Sequence, residues 1–178
     1  MKTRRSLLIR ALQERFVPIL LRNGFVQSEL KGADAASGTI RRAFPFGYMK
    51  RPKGADIELL DIQMHPRGKL KFILNFGVAR PEGVELPWAK LGQPELTASG
   101  LLKQCRLYDS RFYWRMKWFS VSRPSRAKDI DARINKTVAR LIDLYPEVEE
   151  WFSTQREGRH MRCVEMNFPS SPLSTRNP

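Results

Sequence analysis

Residues 57–80 read IELLDIQMHPRGKLKFILNFGVAR, and this stretch decides the fold. From Lys69 to Arg80, the residues Leu70, Phe72, Leu74, Phe76 and Val78 fall on one side of a two-residue alternation, the period of a strand with one buried face. Ile57 to Met64 forms a second apolar run, and the intervening His65-Pro66-Arg67-Gly68 has the composition of a turn. So short a connection joins antiparallel strands, because parallel ones need a crossover of a dozen residues or more. An antiparallel sheet built on this hairpin is therefore predicted. Gly77, inside so strong a strand, marks a bulge or the close approach of another backbone.

Upstream, Leu8, Leu12, Phe16, Ile19 and Leu20 recur at helical spacing from Ser6 to about Leu21. Pro18 is expected to kink that helix or restart its last turn, and Asn23-Gly24 to stop it. Residues 31–38, KGADAASG, read as a small flexible connection. Residues 40–48 carry Phe44, Phe46 and Tyr48 in alternation and read as a strand, at an edge or bulged because Pro45 lacks an N–H.

Downstream, residues 81–104 hold three Pro and three Gly without a sustained period, a long connection of the kind that carries function when ordered. Residues 106–121 read as a strand interrupted around Asp109-Ser110, and Ser122 to Ser125 as a turn. A helix is expected from about Ala127 to Leu144 on Ile130, Ile134, Val138, Leu141 and Leu144. Tyr145-Pro146 should break it and open a short terminal helix carrying Val148, Trp151 and Phe152. Past Gly158 the signal fades: residues 1–158 read as a single domain and 159–178 as a partly disordered extension. The order predicts an α+β fold, a single antiparallel β-sheet with N-terminal and C-terminal helices packed on one face.

The composition sets limits on function. With 178 residues, 42% of them hydrophobic, the chain can bury one real core and is not globally disordered. Two His and two Cys leave no inventory for a multi-ligand zinc site, a disulfide framework or His-centred catalysis. Cys105 and Cys163 read as small buried hydrophobes. The basic N-terminus offers only Leu7-Leu8-Ile9 before Arg10, and no window approaches a membrane span, so a soluble cytoplasmic protein without a membrane partner is expected. Neither GxGxxG nor GxxxxGK[ST] occurs, and no cofactor is implied. Asp56 and Glu58 share a strand face from which Asp61 points away, so the three do not converge as metal ligands, and pairing with local Arg is expected.

The net charge of +14 is localised. Residues 1–22 set six basic side chains against Glu14 alone, residues 39–53 hold five with no acid, and residues 106–128 set seven against Asp109. In RFYWRMKWF (111–119) the rings Phe112, Trp114 and Trp118 alternate with Arg111, Tyr113, Arg115 and Lys117. If the rings face the core, the cations form an exposed row that Lys69, Lys71 and Arg42 extend into a basic sheet face. Cations with an interleaved aromatic suit phosphates and stacked bases. Gln63 and Asn75 on neighbouring strands are expected to share the polar sheet face, through a cross-strand hydrogen bond or as a small polar site.

Several blocks resemble the uncharacterised bacterial domain-of-unknown-function family 4304. They are PILLRNGF (18–25), LLDIQMHPRGKLKFILNFGVARPEG (59–83) with Gln63, Asn75 and Gly77, CRLYD (105–109), the aromatic strand ending in Trp118-Phe119, and YPEVEEWF (145–152). The resemblance covers roughly residues 7–152. This chain departs from it in its basicity and in Arg115-Met116-Lys117 before a single Trp118. The resemblance implies a compact α+β domain with a weak stress or toxin-immunity association, and no activity to transfer.

The function expected from all this is a non-enzymatic binding domain that engages an acidic partner, protein or nucleic acid, through its basic sheet face. The alternatives are an enzyme with a small polar site under the 81–104 loop, an immunity or stress-type protein binding a toxin, and self-association through sheet edges.

Overall fold

The computed structural model describes residues 3–86, 89–110, 117–122 and 129–166. The N-terminal stripe folds as α1 (Arg4–Arg15) and α2 (Val17–Arg22), with the break at Phe16 and Pro18 in the first turn of α2, where its missing N–H costs little. After β1 (Val26–Ser28), two short helices, α3 (Gly32–Ala36) and α4 (Gly38–Ala43), replace the flexible connection and the first half of the strand expected over 40–48. The side-chain oxygen of Ser37 accepts from the Ile40 N–H and caps α4. The strand begins only after the turn at Gly47 (φ 65°). There β2 (Tyr48–Lys53) starts.

The decisive hairpin forms as read: β3 (Asp56–Met64) pairs antiparallel with β4 (Lys71–Ala79), matching Leu60 with Phe76 and Ile62 with Leu74. The long connection after it is structured. It contains the small hairpin of β5 (Val84–Leu86) and β6 (Ala89–Leu91), then 3-10 turns at Gln93–Glu95 and Ala98–Gly100. The strand expected over 106–121 is represented by β7 (Lys103–Leu107) and β8 (Phe119–Ser120), and residues 111–116 lie outside the described residues.

The second long helix, α5 (Ile130–Thr154), does not break at Tyr145-Pro146. A helix-interior proline costs about 3 kcal/mol. Here the Pro146 ring is exposed, whereas nine side chains of α5 are buried, among them Leu144, Tyr145, Val148 and Trp151, and that burial outweighs the lost bond. The helix ends where Gln155 adopts φ 58° and its N–H returns to the Trp151 carbonyl at 2.7 Å. Beyond Gly158, where the sequence signal fades, the chain adds β9 (Met161–Glu165).

All seven strands of the main sheet pair antiparallel, in the order β1-β2-β3-β4-β7-β9 with β8 also against β4. The face carrying Leu60, Ile62, Met64, Phe72, Leu74 and Phe76 is covered by α1, α2 and α5. This is the predicted α+β architecture, with the terminal helices on one face. The opposite face has a smaller core of its own, in which Leu59 and Ala79 pack against Val84, Leu96, Ala98 and Leu101 from the long connection. Gly77 lies under that cover. A Cβ there would collide with the Leu101 side chain and stand 3.0 Å from the Lys103 carbonyl, the close approach its position implied.

One cysteine expectation is corrected. Cys105 and Cys163 are directly opposed on β7 and β9 and form a disulfide across 58 residues of sequence. The two residues are therefore not free thiols packed as small hydrophobes. Among the described residues no helix is long and apolar enough to cross a membrane.

Candidate functional site

The hairpin turn and the start of α1 meet at one end of the sheet. Thr3 caps α1, its hydroxyl oxygen accepting from the Ser6 N–H at 3.1 Å, and the first turn contains Arg4 and Arg5 with no acid. The Arg5 guanidinium donates to the His65 carbonyl at 3.0 Å and to the Arg42 carbonyl. One side chain thus ties α1 to the hairpin turn and to α4. Gly68, at φ 71°, closes the turn with its N–H on the His65 carbonyl at 3.1 Å.

An open cleft of about 740 Å³ lies here, lined by Thr3, Arg4, Arg5, Gly68, Lys69, Leu70, Lys71, Ser120 and Val121. Four of these side chains are cationic and none is acidic. Burial and the cations Lys69, Lys71, Arg67 and Arg5 hold His65 below its ordinary pKa, so the ring is neutral at pH 7. It packs edge-on against Trp118 with centroids 5.5 Å apart. Burial and the neighbouring Arg42 likewise lower the Arg5 pKa. So dense a cationic cluster attracts anions.

The residues expected to form the basic sheet face divide. Lys69 and Lys71 line the cleft, and Lys117, next to Trp118, is exposed. Arg42 belongs to α4 rather than to a strand and approaches the cluster through Arg5. Arg111, Tyr113 and Arg115 lie outside the described residues. Arg4, Arg5 and Arg67 join a site for which they were not singled out. The signal available was the N-terminal basic block, but nothing local shows which turn it meets.

Gln63 and Asn75 do come together on the face opposite the helices. The Asn75 amide donates to Gln63 Oε1 at 3.0 Å and to Ser99 Oγ at 3.2 Å, while Arg106 Nε donates to Asn75 Oδ1 at 3.0 Å. Beside them Asp61, fully buried, accepts at Oδ2 from both the N–H and the hydroxyl of Ser99, each at 3.0 Å. Its Oδ1 has no partner among the described residues. Burial pushes the Asp61 pKa up to about 7, against the opposing pull of the Ser99 hydrogen bonds. A carboxylate interrupting the apolar run 57–64 was the sequence signal for this. Asp56 pairs with Arg80 at 2.7 Å and Glu58 with Arg51, so the three acids of β3 are separated as the alternation implied. No metal-binding group of three His, Cys, Asp or Glu occurs among the described residues.

Comparison of the chain with protein-family models, curated proteins and solved structures gives no match.

Proposed function

We propose that this protein is a non-enzymatic domain that binds single-stranded nucleic acid at the cationic cleft between α1 and the β3–β4 turn. The observation that carries this reading is the convergence of Arg4, Arg5, Lys69 and Lys71 on one opening. Backbone phosphates occupy the cleft and release condensed counterions, and the His65–Trp118 pair beside it offers a ring surface for a base. An acidic protein segment is the competing occupant. It lacks the regular charge spacing and the bases.

The test is fluorescence anisotropy with a labelled oligo(dT) across a salt series. Four phosphate contacts give a log–log slope of about −3. The triple variant Arg4→Ala, Lys69→Ala, Lys71→Ala should flatten that slope by about 2 while leaving the fold intact. Binding that ignores both salt and these substitutions, or no binding at low salt, overturns the reading.

The enzyme alternative under the 81–104 segment has the perturbed carboxyl of Asp61 in its favour. That group lies fully buried beneath Ala98–Gly100 and is engaged in holding Ser99, a structural task, so binding is the better-supported function.

A further inference from the structure

A second cleft, of about 330 Å³, opens at the other end of the sheet where α5, β7 and β9 meet the long connection. Trp151 lines it, and the buried indole Nε1 has no hydrogen-bond partner among the described residues. Buried N–H groups without an acceptor are rare, because desolvating the donor is not repaid. Arg80, Glu82, Lys103 and Glu165 also line the opening, and Val84 and Leu101 give it an aliphatic wall. Lys103 and Glu165 are register partners on β7 and β9. Among the described residues neither they nor Glu82 takes part in an ion pair, so cationic and anionic groups are both available around one cavity with an aliphatic wall. The volume suits a small ligand.

We propose that this cleft binds a small zwitterion with an apolar body, the chemistry of a free aliphatic amino acid. The ligand carboxylate accepts from the Trp151 indole and faces Lys103 and Arg80. The ligand ammonium faces Glu165 and Glu82, and the aliphatic body lies against Val84 and Leu101. The site is independent of the cationic cleft, and nucleic-acid binding can fail without affecting it.

The test follows the Trp151 indole N–H resonance, assigned with Trp151→Phe, during titration with L-leucine, isovalerate and isoamylamine. L-Leucine should move that resonance saturably below about 20 mM, the range open to so small a ligand, and bind at least about tenfold tighter than either single-charge analogue. Lys103→Met and Glu165→Gln, both at exposed positions, should each weaken leucine by about fivefold or more with melting temperature unchanged. Isovalerate binding as tightly as leucine would show the acids idle and overturn the zwitterion. No saturable displacement with any of the three would leave the indole to water and overturn the site.

Discussion

The guanidinium of Arg5 lies 3.0 Å from the carbonyl oxygen of His65, sixty residues further along the chain, and reaches the carbonyl of Arg42 as well. Burial, and then repulsion from Arg42, disfavour the charged form of Arg5 and lower its pKa. Two carbonyl acceptors offset that repulsion and fix the distance between α1 and the hairpin turn. The cleft therefore depends on Arg5 for its shape and on Arg4, Lys69 and Lys71 for much of its charge.

This division is measurable. Arg5→Lys keeps the charge but cannot span two carbonyls, and should lower stability by about 1–2 kcal/mol in urea unfolding. It should also weaken oligonucleotide binding. Arg4→Ala should leave stability within about 0.5 kcal/mol and remove about 0.7 from the salt slope. Equal effects of the two substitutions on stability would contradict the assigned roles.

Asp61 makes stability depend on pH. Its folded-state pKa lies near 7, above its ordinary value of 3.8, so between those values the folded state holds a proton that the unfolded chain has lost. Stability should therefore fall as pH rises from about 4 to about 7 and level off above, by roughly 4 kcal/mol for this group alone. Asp61→Asn presents a carbonyl oxygen to Ser99 without a charge. It should flatten that part of the profile and raise the melting temperature at pH 8. A parallel decline in the variant would assign the dependence to other groups.

Arg51 is sandwiched between Phe25 and Phe152, with its guanidinium carbon 4.4 and 5.3 Å from the two ring centroids. It pairs with Glu149 at 2.8 Å and with Glu58, which is 1% exposed. Lys53 also reaches Glu58, at 3.0 Å, but from an exposed position. Arg51→Met should cost about 3–5 kcal/mol, because a buried carboxylate loses its close partner. Adding Glu58→Gln should recover part of that loss. A double variant no more stable than the single one would show that the rings, and not the charge, set the cost.

The Cys105–Cys163 bridge ties the last strand to the sheet. Reduction, or Cys163→Ser, should lower stability by up to about 4 kcal/mol on loop-closure grounds. Hydrogen exchange should accelerate first in β9 and the β7 amides facing it. Uniform acceleration across the sheet would mean the bridge supports the whole fold rather than its edge.

Much of this architecture was legible in short stretches. The alternation through Phe72, Leu74 and Phe76 and the four-residue turn before it specify an antiparallel hairpin. The spacing of Ile130, Ile134, Val138 and Leu141 specifies a helix with one buried side. Both are local periods, set by backbone geometry within a few residues. Other elements misled because local chemistry was overruled. Pro146 reads as a break but stays helical because the residues around it are buried, and Phe44 and Phe46 alternate without forming a strand because Ser37 caps a helix across that start. Met161–Glu165 is weak alone and becomes a strand through pairing with β7.

Local residue pattern alone specifies the sheet's founding hairpin, the faces of its principal strands and helices, and the localised excess of positive charge. That Arg4 and Arg5 meet Lys69 and Lys71, that Cys105 opposes Cys163, and that Asp61 is sealed beneath Ser99 emerges from the folded chain. Side-chain periodicity acts over a turn of helix or a pair of strand residues. Which distant segments become neighbours is decided by the packing of whole elements, through register and burial that no short window contains.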